Sequence, residues 1–268
     1  MFDFLHRQEL LLSFFAVLVR FSVLLSVLPI FSSKSIPAQV KILLSLTIAF
    51  VMFPMLVSTG KIDPAEALVW GSSLGGIIKV IGLEALFGLA LGFVAKLSFD
   101  TVEIAGDLAG TFMGFANASQ FDPHQESQTQ VIAKFQMALA TLLFLTINGH
   151  HIMLEAALGS YGVVGMGKVH FGGRFEEILL AMSAESIRLG LQMAAPMALA
   201  LTSVNIVYAV MAKAMPQLNI LILSFSVSAL IGLFVLGLSE PEFFRVASGV
   251  FLDVGDRMLA VMRSLKGA

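Results

Sequence analysis

The sequence predicts an all-α integral membrane protein, with about six long hydrophobic helices in hairpins and a C-terminal amphipathic helix. Three observations carry this expectation. Only 13% of the 268 residues are charged, about half the roughly 25% of a soluble domain. The hydrophobic fraction is 57% and the mean hydropathy +0.92. Apolar runs of about 20 residues recur, the length that crosses a bilayer core as a helix. Backbone at that depth must satisfy its own hydrogen bonds, so each run is read as helix.

The first run, Leu10–Phe31, is interrupted only by Arg20 and follows His6 and Arg7. It exceeds the 7–15 apolar residues of a signal peptide, and no small-x-small cleavage site follows, so it is expected to be retained. The polar turn "SSKSIPAQVK" (Ser32–Lys41) places Pro37 to open the second run, Val40–Val57. In "STGKIDPAEA" (Ser58–Ala67), Asp63 and Pro64 suit the N-cap and first helical position before the third run, Leu68–Ala95. The fourth run is Thr129–Ile147. "GSYGVVGMGKVHFGGR" (Gly159–Arg174) holds six glycines and is expected to be irregular. The fifth run, Ile178–Ala214, is too long for one straight span and offers a kink at Pro196. Pro216 divides it from the sixth, Leu218–Leu238, and Glu242–Leu265 closes the chain as a more polar helix. Basic residues are spread over connections on both sides, so charge assigns no orientation.

Composition also narrows chemistry. A net charge of −2 shows no basic excess of the kind that nucleic-acid binding needs. Cysteine is absent, which removes disulfides, thiolate catalysis and Cys-type metal sites. The H-E-x-x-H, Walker A and G-x-S-x-G patterns are missing. His150 and His151 are adjacent, so a helix turns them to different faces and a shared metal is not expected. No catalytic, cofactor-binding or metal-ligating residue is therefore nominated, and an intramembrane enzyme is disfavoured.

Other residues stand out. On a helix, Lys96, Asp100, Glu103 and Asp107 fall within about 60° of one another. Gly88, Gly92, Gly106 and Gly110 form an adjoining stripe of the kind that lets membrane helices approach closely. The charged stripe is either the wet face of a helix leaving the bilayer or a surface turned to a conduit or partner. Lys79 and Glu84 lie deeper, and their favoured reading is a lock onto neighbouring subunits. Glu185 and Arg188 can pair on one helix face. "AGDLAGTFMGFANASQFDP" (Ala105–Pro123) combines helix-ending glycines with adhesive Phe and Met side chains, suited to line or block a pore or to fold back on its own bundle. In "AKAMPQLNILIL" (Ala212–Leu223), Pro216 breaks the helix and Gln217 and Asn219 are placed to satisfy the freed backbone. The break suits a functional junction or a tight hairpin.

Several stretches, in order, resemble one family. "VRFSVLLSVLPIFSSKSIPAQVKILLSLTIAFVMFPML", "EALFGLALGF", "AGDLAGTFMGF" with "FDP" after it, "NGHH" and "MPQLNILIL" are similar to the FliR family of flagellar export-gate proteins. The similarity runs from about Arg20 to Leu238, with a departure at Ser224–Ser228. It implies a single export-gate membrane domain over 1–268, not an enzyme, in the bacterial inner membrane at the flagellar basal body. The implied partners are FliP-like and FliQ-like membrane subunits, FlhB-like and FlhA-like export proteins, membrane lipid, and unfolded flagellar substrates in transit. No cofactor is implied. A plug loop over about 111–127 is implied too, its gate residues being Gly110, Phe112, Met113, Gly114, Phe115, Ala116, Asn117 and Phe121. Injectisome export subunits share the fold and stand as the alternative. A small-solute secondary transporter, with a midplane site at Glu84 and Pro216, is the rival from another class, although no internal repeat supports it.

Overall fold

A computed structural model describes residues 7–28, 31, 36–115, 130–217 and 220–266. Its helices are α1 (Gln8–Val27), α2 (Ala38–Ser58), α3 (Glu66–Trp70), α4 (Leu74–Phe112), α5 (Gln130–Thr146), α6 (Gly149–Val163), α7 (Gly173–Ala214), α8 (Ile220–Leu252) and α9 (Val254–Leu265). Among the described residues there is no strand, only an isolated bridge between Val169 and Lys266. Five stretches are long and apolar enough to cross a membrane, or six if α5 and α6 count as one broken span. The expected fold class holds.

The boundaries depart from the sequence expectation in three places. The third run does not stop at Ala95, because α4 continues through the charged stripe to Phe112. Lys, Asp and Glu are compatible with a helix and mark depth relative to the bilayer rather than the end of an element. The glycine-rich loop is shorter than expected, because α6 carries Gly159 and Gly162 in helical conformation to Val163. A mid-helix glycine costs about 1 kcal/mol, less than a backbone group left unpaired at membrane depth. The closing helix begins at Val254 rather than Glu242, since α8 runs through Pro241 to Leu252. α7 likewise passes through Pro196 without interruption. It ends at Ala214, and Pro216 lies in the turn before α8.

The chain divides into two compact units, each described by itself. Unit 1 is Met1–Leu97, Asn148–Met182 and Asp253–Ala268. In it α1 packs against α2 and α3, while α6 packs against α9 and α2. Phe14 of α1 meets Phe53 of α2 edge-on, with ring centroids 5.7 Å apart. Asp63 does not cap α3 itself but accepts the Ala65 N–H at 2.9 Å, closing the turn just before it. The amphipathic α9 buries Val254, Met258, Val261, Met262 and Leu265, a stripe at helical spacing.

Unit 2 is Ser98–Ile147 and Ser183–Leu252. One core cluster joins Ala109 and Met113 of α4 and its C-terminal turn to Ile132 of α5, Met197 and Leu201 of α7, and Leu236 of α8. A second is aromatic: the rings of Phe99, Phe144 and Phe251 lie with centroids 4.8–5.2 Å apart. Outward faces are apolar as well; Leu199, Leu230, Phe234 and Leu238 are each about 70% exposed. Helices apolar all round belong in lipid or against partner subunits.

Candidate functional site

In unit 1, two charges that the sequence places in separate apolar runs meet. Arg20 of α1 and Glu84 of α4 are essentially solvent-free. Arg20 donates from Nε to Glu84 Oε2 at 2.6 Å and from Nη2 to Oε1 at 2.9 Å. Its Nη1 reaches Ser160 Oγ of α6 at 2.8 Å. Glu84 also accepts the Tyr161 hydroxyl at 3.3 Å and the Gly167 N–H at 2.9 Å. The guanidinium carbon stands 3.7 Å from the Tyr161 ring centroid and 4.3 Å from that of Phe87, so aromatic faces cover the remaining charge. Forked pairing supplies geometry that a lysine does not.

This network ties α1, α4, α6 and the loop after α6 together. The same loop is held at two further points. Lys168 Nζ pairs with Glu66 at 2.7 Å, and the His170 N–H donates to the Leu265 carbonyl at 3.0 Å. The favoured lock between Glu84 and a neighbouring subunit is thus corrected: its partner is Arg20 of the same chain. Lys79 is exposed and takes no part. In the sequence Arg20 stands out only as an interruption, although two opposite charges inside two apolar runs are the signal available. Charges at membrane depth are tolerated when paired.

In unit 2, Glu103 and Asp107 are exposed and line a cavity of about 190 Å³ with Ala133, Lys134 and Met137 of α5. Asp100 and Lys96 are half-buried. The lower half of the charged stripe therefore borders a groove between α4 and α5. The glycine stripe serves packing inside the chain. A Cβ at Gly106 would lie 2.5 Å from the Ala133 Cα, and one at Gly88 2.5 Å from the Arg20 carbonyl oxygen. Close approach of backbones is what small residues in membrane helices permit.

The segment that the resemblance implies as a plug is described as far as Phe115. Gly110 and Phe112 are helical, so Gly110 does not end α4. Met113 is fully buried in the unit 2 core and lies against Gly232. Gly114 adopts φ +86°, the left-handed conformation that glycine takes without strain. Phe115 meets Phe225 edge-on at 6.0 Å. Ala116, Asn117 and Phe121 lie outside the described residues. So does Asn219, while Gln217 is exposed beside Pro216. Asn148 of "NGHH" is left-handed at φ 58° and separates α5 from α6. His150 and His151 stack with centroids 4.2 Å apart. Among the described residues no group of three His, Asp or Glu side chains is placed to hold a metal. Glu185 and Arg188 pair at 3.8 Å on an exposed face, where such pairs add little.

The model of the bacterial export proteins, family 1, matches residues 11–254. The chain belongs to that family. Among its relatives, the flagellar biosynthetic protein FliR of Pectobacterium carotovorum subsp. carotovorum is 29% identical over 258 residues, covering 95% of this chain and 94% of that one. FliR of Escherichia coli (strain K12) is 26% identical over 252 residues, covering 94% and 93%. FliR of Bacillus subtilis (strain 168) is 26% identical over 246 residues, covering 91% and 92%. The resemblance read from the sequence stretches is borne out. Every site residue described above lies inside the matched span except Lys266 and Leu265, the contacts of the loop after α6.

Proposed function

We propose that this chain is a subunit of the bacterial flagellar protein-export gate. Alignment over more than nine-tenths of relatives named as flagellar biosynthetic proteins is the observation that supports this most directly. In this reading the protein is a non-enzymatic component of the inner membrane at the flagellar base. It assembles with FliP-like and FliQ-like subunits, communicates with FlhB-like and FlhA-like export proteins, and passes unfolded flagellar proteins. The largely apolar outer faces of α2, α7 and α8 suit such an assembly. Deleting the gene in a swimming host is expected to abolish motility and secretion of filament protein, with both restored by the intact gene. Normal swimming and secretion in the deletion strain would overturn the reading. Loss of effector secretion with normal swimming would move the chain to the injectisome class.

Within this gate the segment after Gly114 acts as the plug. Met113, buried against Gly232, anchors the start of that segment, and Gly114 supplies the turn out of α4. Hinges need only a few positions that absorb a change in φ and ψ. Deleting Gly114–Ala118 is expected to raise ion leakage through cells carrying the assembled gate, read as loss of membrane potential with a voltage-sensitive dye. A normally assembled gate with unchanged potential would remove the plug assignment.

A further inference from the structure

Unit 2 contains a carboxylate of the opposite kind, that of half-buried Glu240, which has no partner among the described residues. A cavity of about 360 Å³ lies between α5 and α8, walled by Phe135, Leu139, Leu233 and Phe244 together with Gly237 and Glu240. Both Glu240 carboxylate oxygens are shielded from solvent, and neither has a hydrogen-bond partner among the described residues. Arg245, a cation further along α8, is held in a fork by Glu242. The hydroxyl of Ser239 donates to the Leu236 carbonyl at 3.0 Å instead.

Proline adds to the imbalance. Pro241 has no N–H, so the carbonyl four residues earlier, that of Gly237, receives no helical donor from it. Gly237 lines the same cavity. Glu240 is thus the one charged residue among the cavity's lining, and the other lining side chains carry no donor. A buried carboxylate without donors is costly, and the matching occupant is a cation carrying several N–H groups. Among the lining residues, Phe135 and Leu233 are about half exposed and Phe244 is also exposed, a surface suited to an apolar helix.

We infer that this cavity is the docking site for a lysine or arginine borne on an apolar helix of a neighbouring membrane subunit. The cation enters the cavity, and the Glu240 side chain, which lines it, turns its shielded carboxylate toward the incoming charge, while the flanking leucine and phenylalanine side chains pack against the partner helix. The inference rests on the proposed export-gate reading, which supplies the neighbouring subunits.

The test uses the tagged chain co-expressed with its FliP-like and FliQ-like neighbours, with the assembly recovered in detergent and weighed by native mass measurement. Glu240→Gln keeps the shape and removes the charge; it is expected to lower recovered assembly about tenfold or more, as loss of one member of a buried interfacial pair does. Glu240→Lys is expected to abolish assembly. Selection for restored swimming in that variant is then expected to return Lys→Glu or Arg→Glu changes in an apolar partner helix. The chain expressed alone controls for folding, because its Glu240 has no partner to lose: Glu240→Gln should leave its melting temperature unchanged or raise it. Wild-type assembly of Glu240→Lys would overturn the inference. So would a loss in the isolated chain equal to that in the assembly, or a native mass in which Glu240→Gln sheds only a phospholipid. Normal gate assembly with Glu240→Lys, beside a non-swimming deletion strain, removes the docking site and leaves the gate reading standing.

Discussion

Replacing Arg20 by methionine is expected to destabilise the protein by about 3–5 kcal/mol, the cost of leaving a buried charge without its partner. Glu84 would then keep only the Tyr161 hydroxyl and the Gly167 N–H, with no cation within reach of its two oxygens. Glu84→Leu is expected to cost a similar amount by stranding the guanidinium between Tyr161 and Phe87. The double variant Arg20→Met/Glu84→Leu should lie closer to the wild type than either single one, since apolar replacement of a whole buried pair is often neutral. Thermal unfolding in detergent measures all three. Single variants within about 1 kcal/mol of wild type, or a double variant as poor as the sum of both, would show that the pair is not the joint of unit 1.

The second large effect comes from two chemically identical changes in α4. Gly106→Ala places a methyl 2.5 Å from the Ala133 Cα and 3.0 Å from both the Ala133 Cβ and the Gln136 Oε1. The first of these is backbone, so α4 and α5 must separate, at a cost of about 1–3 kcal/mol. Gly82→Ala meets nothing within 4 Å and is expected to gain about 0.5–1 kcal/mol, because alanine loses less backbone entropy in a helix. The same unfolding measurement compares them. Equal stability of the two variants would contradict the packing of α4 on α5.

Much of the fold was legible because bilayer chemistry is strict. Runs such as Val40–Val57 and Leu218–Leu238 have one economical backbone solution, and α2 and α8 occupy them. Pro216 marked a helix end correctly, since the preceding residue is disfavoured from helix and the proline gives no N–H. Pro196 and Pro241 carry the same local signal, yet α7 and α8 pass through both. Membrane helices tolerate such residues where neighbours and local adjustment satisfy the freed carbonyl. The candidate site was less legible. The charged stripe was visible, but that Glu103 and Asp107 border a groove is decided by where α5 packs. Met113 looked like a pore-facing side chain because composition cannot tell adhesive from anchored.

From the sequence alone follow the membrane class, the helices, the export family and the position of a glycine able to turn the chain out of α4. These are local or additive properties: hydropathy over about 20 residues, backbone freedom at one site, and the order of short motifs. Only the tertiary structure decided that Arg20 meets Glu84 across 64 residues of chain while the Glu240 carboxylate has no hydrogen-bond partner among the described residues. Charges interact through space and are costly when buried alone. Whether a carboxylate within an apolar run is a joint of the fold or an open socket therefore depends on which helix is packed beside it.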